Sequence, residues 1–256
     1  MEWQAPAIVL EARPHGEGGA VVSVLTAAHG RHAGLAHGGA SRAQAGLWQP
    51  GNLLEVRWRG RLAEQLGSLS GEMVHPTAAL ALDEPLTLAL LQSACALAAD
   101  ALPEREAQPR IFSGLLALMA QLGRGAPALL ADYIRWEGLL LEGLGYGLDL
   151  SACAVTGARE DLTHVSPRSG RAVSAAAAEP YRARLLPLPL FLLGGQDERD
   201  PAEWLKGLRL TGHFLERDAF GARHRPLPPA RDRLVARIAA LLPSTAPSPD
   251  APSPDP

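Results

Sequence analysis

The sequence predicts an α+β fold in which a small all-β barrel precedes a helical domain. Between residues 5 and 72, short runs of apolar or aromatic residues are separated by Gly, Pro, Asn and His. Such runs at spacings of about ten residues are typical of a small barrel or sandwich. Beyond His75 the period of the apolar residues changes from two to about 3.6, which indicates helices. These observations favour an N-terminal five-stranded OB-fold barrel, whose open face commonly binds single-stranded nucleic acid.

Five strands are expected in the first part of the chain. They are predicted at residues 8–12, 21–26, 31–37, 53–59 and 65–73. The fourth has the clearest alternation, with Leu54, Val56 and Trp58 on one side and Glu55, Arg57 and Arg59 on the other. Because successive strand residues point to opposite faces, Trp58 is expected in the core and both arginines on a polar surface. In the third strand, Arg31 and His32 are likewise expected on opposite faces.

Helices are predicted at residues 85–102, 111–122, 127–144, 200–220 and 229–242. Pro85 and Pro127 suit the first turn of a helix, Gly145 suits a C-terminal cap, and Asp200 suits an N-cap. Between the third and fourth helices, residues 151–174 are short and rich in turns, with a hairpin expected at residues 166–170.

The predicted domains are a barrel at 1–78 and a helical domain at 79–242, which includes a small knuckle at 151–174. The last residues, 243–256, contain mainly Pro, Ser, Ala and Asp and are expected to be disordered.

Composition restricts the class of protein. The chain has 256 residues, of which 47% are hydrophobic and 20% charged, as in ordinary soluble globular proteins. No apolar run is long enough to span a membrane, and no secretion signal is evident at the N-terminus. With Cys95 and Cys153 as the only cysteines, a disulfide framework is not expected, and a reducing cytoplasm is the predicted location.

Arginine dominates the positive charge. Lys206 is the only lysine among 24 basic residues, although the net charge of the chain is −3. Guanidinium groups pair with phosphates and stack on bases, which suits nucleic-acid binding. A GC-rich genome that favours arginine codons explains the same bias. The positive charge is concentrated at residues 201–242, where eight basic residues stand against four acidic ones.

Several motifs, in order along the chain, resemble the RecO family of bacterial recombination-mediator and repair proteins. In the barrel they are Gly16-Glu17, Leu25-Thr26-x-x-His29-Gly30, Gly34-Leu35-Ala36-x-Gly38 and Gln49-Pro50-Gly51-Asn52. The central region adds residues 144–150 (LGYGLDL) and 165–173 (VSPRSGRAV). The resemblance covers residues 5–242.

The resemblance implies a DNA-binding function without catalysis and without a cofactor. Members bind single- and double-stranded DNA and anneal complementary strands. In the RecF pathway they act with RecR to load RecA onto DNA coated by the single-strand-binding protein SSB. On this chain the resemblance implies DNA contacts from Arg31, His32, Arg42, Arg57, Arg59 and Arg61. Arginines that follow a backbone displace counterions, so binding would be salt-sensitive and independent of sequence. These side chains could instead be the solvated face of a barrel whose glutamates cancel their charge.

The same resemblance places a pocket for the acidic tail of SSB beside the helix at 127–144. Arg135 would hold a terminal carboxylate there, with Leu139 as an apolar neighbour. Alternatively, Arg135 forms an ordinary helix ion pair with Asp132 or Glu142. Some family members carry two Cys-x-x-Cys pairs in the knuckle, but here Cys153 stands alone. One thiolate and a distant His164 do not supply four ligands, so no zinc is expected.

Two other functions fit parts of the sequence. His29, His32 and His37 could suggest a hydrolase site, but on a strand His32 points away from the other two, and no catalytic signature accompanies them. The barrel could also be a generic OB module that binds RNA or protein without any role in recombination. Binding to bare DNA, SSB-coated DNA and an SSB tail peptide would separate these possibilities.

Overall fold

The computed structural model describes residues 1–62, 65–195 and 199–242. The predicted disordered tail, 243–256, lies outside the described residues.

A closed five-stranded barrel forms the N-terminal part of the protein. Its strands are β1 (Glu2–His15), β2 (Gly19–Thr26), β3 (Gly30–Ala36), β4 (Leu53–Arg59) and β5 (Ser68–His75). Around the barrel they follow the order β1-β2-β3-β5-β4, and β1 pairs with both β2 and β4. A parallel pairing of β3 with β5 closes the barrel, and in the described residues it is at one position, Leu35 with Ser68. This is the predicted barrel architecture.

The barrel interior follows the period of two seen in the sequence. On β4, Leu54, Val56 and Trp58 are buried, whereas Arg57 and Arg59 are exposed. The segment between β3 and β4 contributes Trp48, which is buried against β5 at Gly71. Space is tight at Gly34 of β3, where a Cβ atom would lie 2.8 Å from the Cβ of Leu69. A side chain at that position would therefore disturb the seam between β3 and β5.

The first strand is longer than predicted. It begins at Glu2 rather than at residue 8, and its first half pairs with β4. The register places Glu2 opposite Arg59 and Gln4 opposite Arg57. Polar residues alternate with Trp3 and Ala5 in this half, so its apolar pattern is weak, and the strand depends on pairing with a distant segment.

Helices form most of the remainder. They are α1 (Thr77–Ala81), α2 (Pro85–Ala101), α3 (Pro109–Met119), α4 (Leu130–Gly143), α5 (Ala175–Ala178), α6 (Pro201–Phe214) and α7 (Pro229–Ala239). Five of them correspond to the predicted helices, and α6 continues as wider π-type turns to Phe220. The predicted caps are confirmed: Asp200 accepts a hydrogen bond from the Ala202 N–H, and Gly145 has a φ of 88°. No described helix has the length and hydropathy that a bilayer span requires.

The barrel and the helices are packed through a shared core. Ile8, Leu10 and Leu25 of the barrel belong to the same apolar cluster as the buried residues of the helices. The side of the barrel that carries these residues is therefore covered by the helical part, while the barrel interior, with residues from all five strands, forms a separate cluster. The boundary at residue 78 stays a prediction.

A three-stranded sheet accounts for the predicted knuckle. Its strands are β6 (Leu162–Val165), β7 (Ala172–Ser174) and β8 (Leu186–Pro187), in the order β7-β6-β8. The predicted hairpin joins β6 to β7, with the Gly170 N–H donating to the Ser166 carbonyl at 2.9 Å.

A buried ion pair connects three helices. Arg231 of α7 forms two hydrogen bonds to Glu137 of α4, at 2.7 and 2.9 Å, and also donates to the Leu208 carbonyl of α6. Tyr133 and Thr211 donate to the same carboxylate. Burial acts to lower the pKa of Arg231, but the facing Glu137 raises it above its ordinary value. The network is satisfied by hydrogen bonds and fixes α7 against α4 and α6.

Candidate nucleic-acid interface

The outer surface of β1, β4 and β5 presents its polar side chains in rows. Glu2, Arg59 and Ser68 form one row across the three strands. Gln4, Arg57 and Ser70 form the next. Both rows result from antiparallel register, in which residues directly opposite each other point to the same face. The two guanidinium groups of β4 are thereby held side by side on an exposed sheet surface.

A groove runs from this surface to the segment that follows β3. We call it the β4–β5 groove; its lining residues are His37, Gln44, Trp48, Arg57, Arg59 and Ser68–Gly71. None of these residues is acidic. The groove lies along β4 and β5, and several of its side chains can donate hydrogen bonds. An extended polyanion could therefore lie along it and meet both guanidinium groups.

Glu2 is the acidic neighbour of the two arginines. Its carboxylate lies 2.9 Å from Arg59 Nε and 3.3 Å from Arg57 Nε. The hydrogen bond from Arg59 is the main reason why the pKa of Glu2 is lowered. All three side chains are largely exposed, so these are weak surface ion pairs. One carboxylate shared by two guanidiniums leaves a net positive charge beside the groove.

The sign of the charge changes on the far side of Arg57. A second groove there is lined by Gln4, Glu55, Arg57 and Glu72, among others. Glu55 and Glu72 face each other across β4 and β5. Two carboxylates at this point repel a phosphate backbone, so a bound strand would be directed toward the end with Arg59, Ser68 and His37.

Trp48 lines the β4–β5 groove. The side chain is 3% exposed, and its Nε1 is buried without a hydrogen-bond partner among the described residues. Because that atom is not exposed, it offers no donor to a ligand in the groove.

Arg42 and Arg61 lie in the loops before and after β4, and both are exposed. Neither lines the β4–β5 groove. The DNA contacts of Arg42 and Arg61 stay a prediction. They require a bound strand that extends beyond the groove.

The prediction of a DNA contact at His32 does not fit the structure. His32 is 5% exposed inside the barrel, with its ring against the edges of Trp3 and Trp58 at 5.1 and 4.8 Å between centroids. Burial lowers its pKa to about 4, and neither ring nitrogen has a partner in the described part of the chain. The physical reason is the strand period: because Arg31 and His32 are adjacent, only one of them can face outward.

Arg31 faces outward, but toward the helical part of the protein. Its Nε donates to the Leu102 carbonyl at 2.9 Å, and its Nη1 lies 3.3 Å from Glu104. The side chain is 21% exposed, far less than that of Arg57 or Arg59. Arg31 therefore does not belong to the β4–β5 groove, and its DNA contact stays a prediction.

The three histidines do not form a catalytic cluster. His29 stacks on Trp3 at 4.3 Å between ring centroids, which brings it near His32, contrary to the expectation that these two point apart. His37 lies elsewhere, in the lining of the β4–β5 groove. The described residues contain no group of three or more His, Cys, Asp or Glu side chains arranged to hold a metal ion.

Arg135 on α4 lies beside an apolar surface. It pairs with Asp132 at 2.8 Å, donates to the Phe191 carbonyl at 2.9 Å and lies 5.6 Å from the centre of the Phe191 ring. Leu190 and Leu193, on either side of Phe191, are 48% and 39% exposed. Leu139 is half-buried one turn after Arg135, whereas Glu142 pairs with Arg110 instead. A partly exposed guanidinium beside exposed leucines suits a peptide that ends in an apolar side chain and a carboxylate.

The knuckle does not have the donor set of a zinc site. The Cys153 sulfur accepts hydrogen bonds from the N–H and hydroxyl of Ser174 and from the Thr156 N–H, at 3.3 to 3.5 Å. In the described residues, no group of three or more His, Cys, Asp or Glu side chains is arranged around this sulfur to hold a metal ion. One thiolate among such donors does not fit tetrahedral zinc.

Sequence reasoning missed some groove residues. His37, Gln44, Ser68 and Ser70 are polar residues in loops or at the edge of a weak strand, and only the closed barrel places them near Arg57 and Arg59. The alternation of β4 was the local signal that identified the two arginines.

Comparisons with known proteins cover nearly the whole chain. Residues 1–77 match the family profile described as Recombination protein O N terminal, and residues 82–227 match the one described as Recombination protein O C terminal. The chain is 57% identical over 242 residues to the DNA repair protein RecO of Granulibacter bethesdensis, which covers 94% of this chain and 97% of that protein. It is 57% identical over 250 residues to the DNA repair protein RecO of Gluconacetobacter diazotrophicus, with 95% of this chain and 97% of that protein covered. A third relative, the DNA repair protein RecO of Acidiphilium cryptum, is 55% identical over 245 residues. Identity at this level over almost the whole length shows that the chain belongs to the RecO family.

Proposed function

We propose that this protein is a DNA repair and recombination mediator that binds single- and double-stranded DNA and anneals complementary strands. It acts with RecR to load RecA onto SSB-coated DNA and carries out no chemical step of its own. The observation that carries the DNA-binding part is the β4–β5 groove, with Arg57 and Arg59 side by side and no acidic residue in its lining. The family relationship supports the roles with RecR, RecA and SSB, and it also supports a location in the bacterial cytoplasm at the nucleoid.

The groove favours single strands that are bound through their phosphates. Two guanidinium groups displace condensed counterions, and the uncharged donors Gln44, Ser68 and Ser70 can bind further phosphate or sugar oxygens. Contacts to phosphate and sugar carry no sequence information, so binding through them should be independent of sequence. Without sequence preference, one protein can bind any pair of complementary strands.

The surface at Arg135 is the proposed contact for the acidic C-terminal tail of SSB. The Arg135 guanidinium would pair with the terminal carboxylate, and Leu139, Leu190 and Leu193 would contact the apolar end of the tail. The pair with Asp132 is an exposed i,i+3 ion pair of low strength, so a second carboxylate can share or replace it. This surface is separate from the β4–β5 groove, which allows DNA and SSB to be held together.

The test compares two variants on three ligands: bare DNA, SSB-coated DNA and an SSB tail peptide. Arg57→Glu with Arg59→Glu should lower affinity for bare single-stranded DNA about tenfold or more and leave peptide binding unchanged. Arg135→Ala should weaken the peptide about tenfold and leave bare DNA unchanged. The matched controls are Arg182→Glu with Arg184→Glu for charge, and Arg110→Ala for an exposed, ion-paired helix arginine.

The alternative function, a generic OB module that binds RNA or protein, predicts a different result. Such a module would bind neither the SSB peptide nor SSB-coated DNA and would not anneal strands. Wild-type protein with no affinity for DNA would contradict the proposal itself.

A further inference from the structure

A second cluster of arginines lies where the barrel meets the helices. We call it the junction surface; it comprises Arg13, Arg31, Arg105, Arg223, Arg225 and Arg233. The first two belong to β1 and β3, and the others come from the loop after α2, the turn after α6 and α7 itself. None of them lines the β4–β5 groove.

Contacts to the end of α2 hold the cluster together. Arg225 pairs with the Asp100 carboxylate at 2.7 Å, and Arg223 donates to the Asp100 carbonyl at 3.3 Å. Arg31 donates to the Leu102 carbonyl, and both Arg31 and Arg105 pair with Glu104.

Two further arginines lie beside Asp100. Arg233 and Asp100 line one crevice between β1, α2 and α7. Arg13 pairs with Glu11 at 2.6 Å, and Asp100 is close enough to contribute to its raised pKa. Six guanidinium groups from both parts of the protein therefore surround one helix end.

The acidic residues do not neutralise this surface. They are Glu11, Asp100, Glu104, Glu106 in the same loop and Asp232 next to Arg233, so six arginines stand against five carboxylates. The chain has no acidic residue between Asp218 and Asp232, the stretch that contributes Arg223 and Arg225. The side chains of Arg13 and Arg225 are 72% and 51% exposed. An excess of exposed guanidinium groups is the electrostatic footprint of phosphate binding.

The surface lacks the large exposed apolar side chains that usually anchor a protein partner. Protein interfaces usually contain apolar or aromatic side chains at their centre. The exposed large apolar residues in the described part of the chain include none between residues 11 and 15, 99 and 107, or 219 and 235. Charge without apolar anchors matches a nucleic-acid backbone, which is recognised through its phosphates.

We propose that the junction surface binds a second nucleic-acid strand through its phosphates while the β4–β5 groove holds the first. This inference rests on the proposed function, because it assumes that the groove binds DNA. Two polyanions repel each other in solution, and two separate cationic surfaces on one molecule offset that repulsion. Arg31, which does not line the groove, is part of this second surface.

The test separates single-strand binding from annealing. Arg223→Glu with Arg225→Glu is measured for affinity toward an oligothymidine and for the annealing rate of two complementary oligonucleotides. We expect affinity within about twofold of wild type and an annealing rate lowered about tenfold or more. The charge-matched control, Arg182→Glu with Arg184→Glu, should anneal at nearly the wild-type rate. Because a glutamate beside Asp100 could weaken folding, Arg223→Gln with Arg225→Gln is measured in parallel and should show a smaller loss in the same direction.

Two outcomes would overturn the inference. Annealing equal to that of the charge-matched control would mean that the junction surface binds no strand. A parallel loss of oligothymidine affinity and annealing would mean that the surface belongs to the first strand's site. In either case, the DNA affinity of the groove variant, Arg57→Glu with Arg59→Glu, still tests the proposed function independently. Wild-type protein that does not bind oligothymidine would contradict both.

Discussion

Single charged residues decide how strongly the β4–β5 groove can attract a phosphate backbone. Glu2 is the residue that most directly opposes this attraction, since its carboxylate binds both Arg57 and Arg59. Sequence reasoning could not find this contact, because 55 or more positions separate Glu2 from its partners and only the β1–β4 register joins them. In contrast, the outward direction of the two arginines follows from the alternation of β4 alone.

Glu2→Gln should therefore strengthen DNA binding. The substitution removes the carboxylate that competes with phosphate, and because such exposed ion pairs are weak, affinity should rise by only roughly two- to fivefold. Fluorescence anisotropy with a labelled oligothymidine measures the change. Glu17→Gln, in the exposed turn after β1, alters the net charge equally and should have a smaller effect. An unchanged or lower affinity for Glu2→Gln would mean that these arginines do not contact the strand.

His32 should make stability depend on pH. Its pKa is about 4 in the folded protein, below the ordinary value of about 6.5, because the ring is buried. The unfolded chain therefore takes up a proton at a higher pH than the folded one, so stability is lost as pH falls from about 6.5 toward 4. His32→Phe keeps an aromatic ring between Trp3 and Trp58. It should reduce the loss of unfolding free energy over this pH range by on the order of 2 kcal/mol.

Urea unfolding at several pH values measures the His32 effect as a difference between variant and wild type. His15→Gln, at an exposed position, is the control and should follow the wild-type curve. If the stability of His32→Phe changed with pH as that of the wild type does, the His32 ring would be open to protonation in the folded protein.

At the scale of elements, local sequence patterns predicted the strands and helices that local residues stabilise. Strand alternation, proline at helix starts and the Asp200 cap identified most strands and helices within a few residues. The first half of β1, the short helix α1 and strand β8 were missed, because pairing and packing with distant segments stabilise them. The buried pair of Glu137 and Arg231 was also invisible in the sequence, since it joins α4 to α7 across 94 positions.

Loss of that buried pair should be costly. Arg231→Met leaves the fully buried Glu137 carboxylate without its countercharge, which typically destabilises a protein by about 3–5 kcal/mol. Arg237→Met, at an exposed position on the same helix, should change stability by less than about 0.5 kcal/mol. Thermal or urea unfolding measures both. The double variant with Glu137→Met should recover part of the loss, whereas a single variant as stable as the control would contradict the role given to the network.

At the scale of the whole molecule, the fold separates three surfaces. The barrel presents the β4–β5 groove, the helices present Arg135 beside exposed leucines, and the junction surface lies between the two parts. The family resemblance of the motifs predicted the first two, but it assigned Arg31 and His32 to one DNA-binding face. The third surface could not be predicted from spacing, because β1, β3, α2 and α7 meet there only in the folded chain.

The salt dependence of single-strand binding tests the central claim most directly. Each phosphate contact to a single strand contributes about 0.7 to the slope of log affinity against log salt concentration. If Arg57 and Arg59 each contact a phosphate, Arg57→Gln with Arg59→Gln should reduce the slope by about 1.4, whereas Arg182→Gln with Arg184→Gln should leave it unchanged. Equal slopes for the groove variant and the wild type would contradict the claim that these two guanidinium groups bind the DNA backbone.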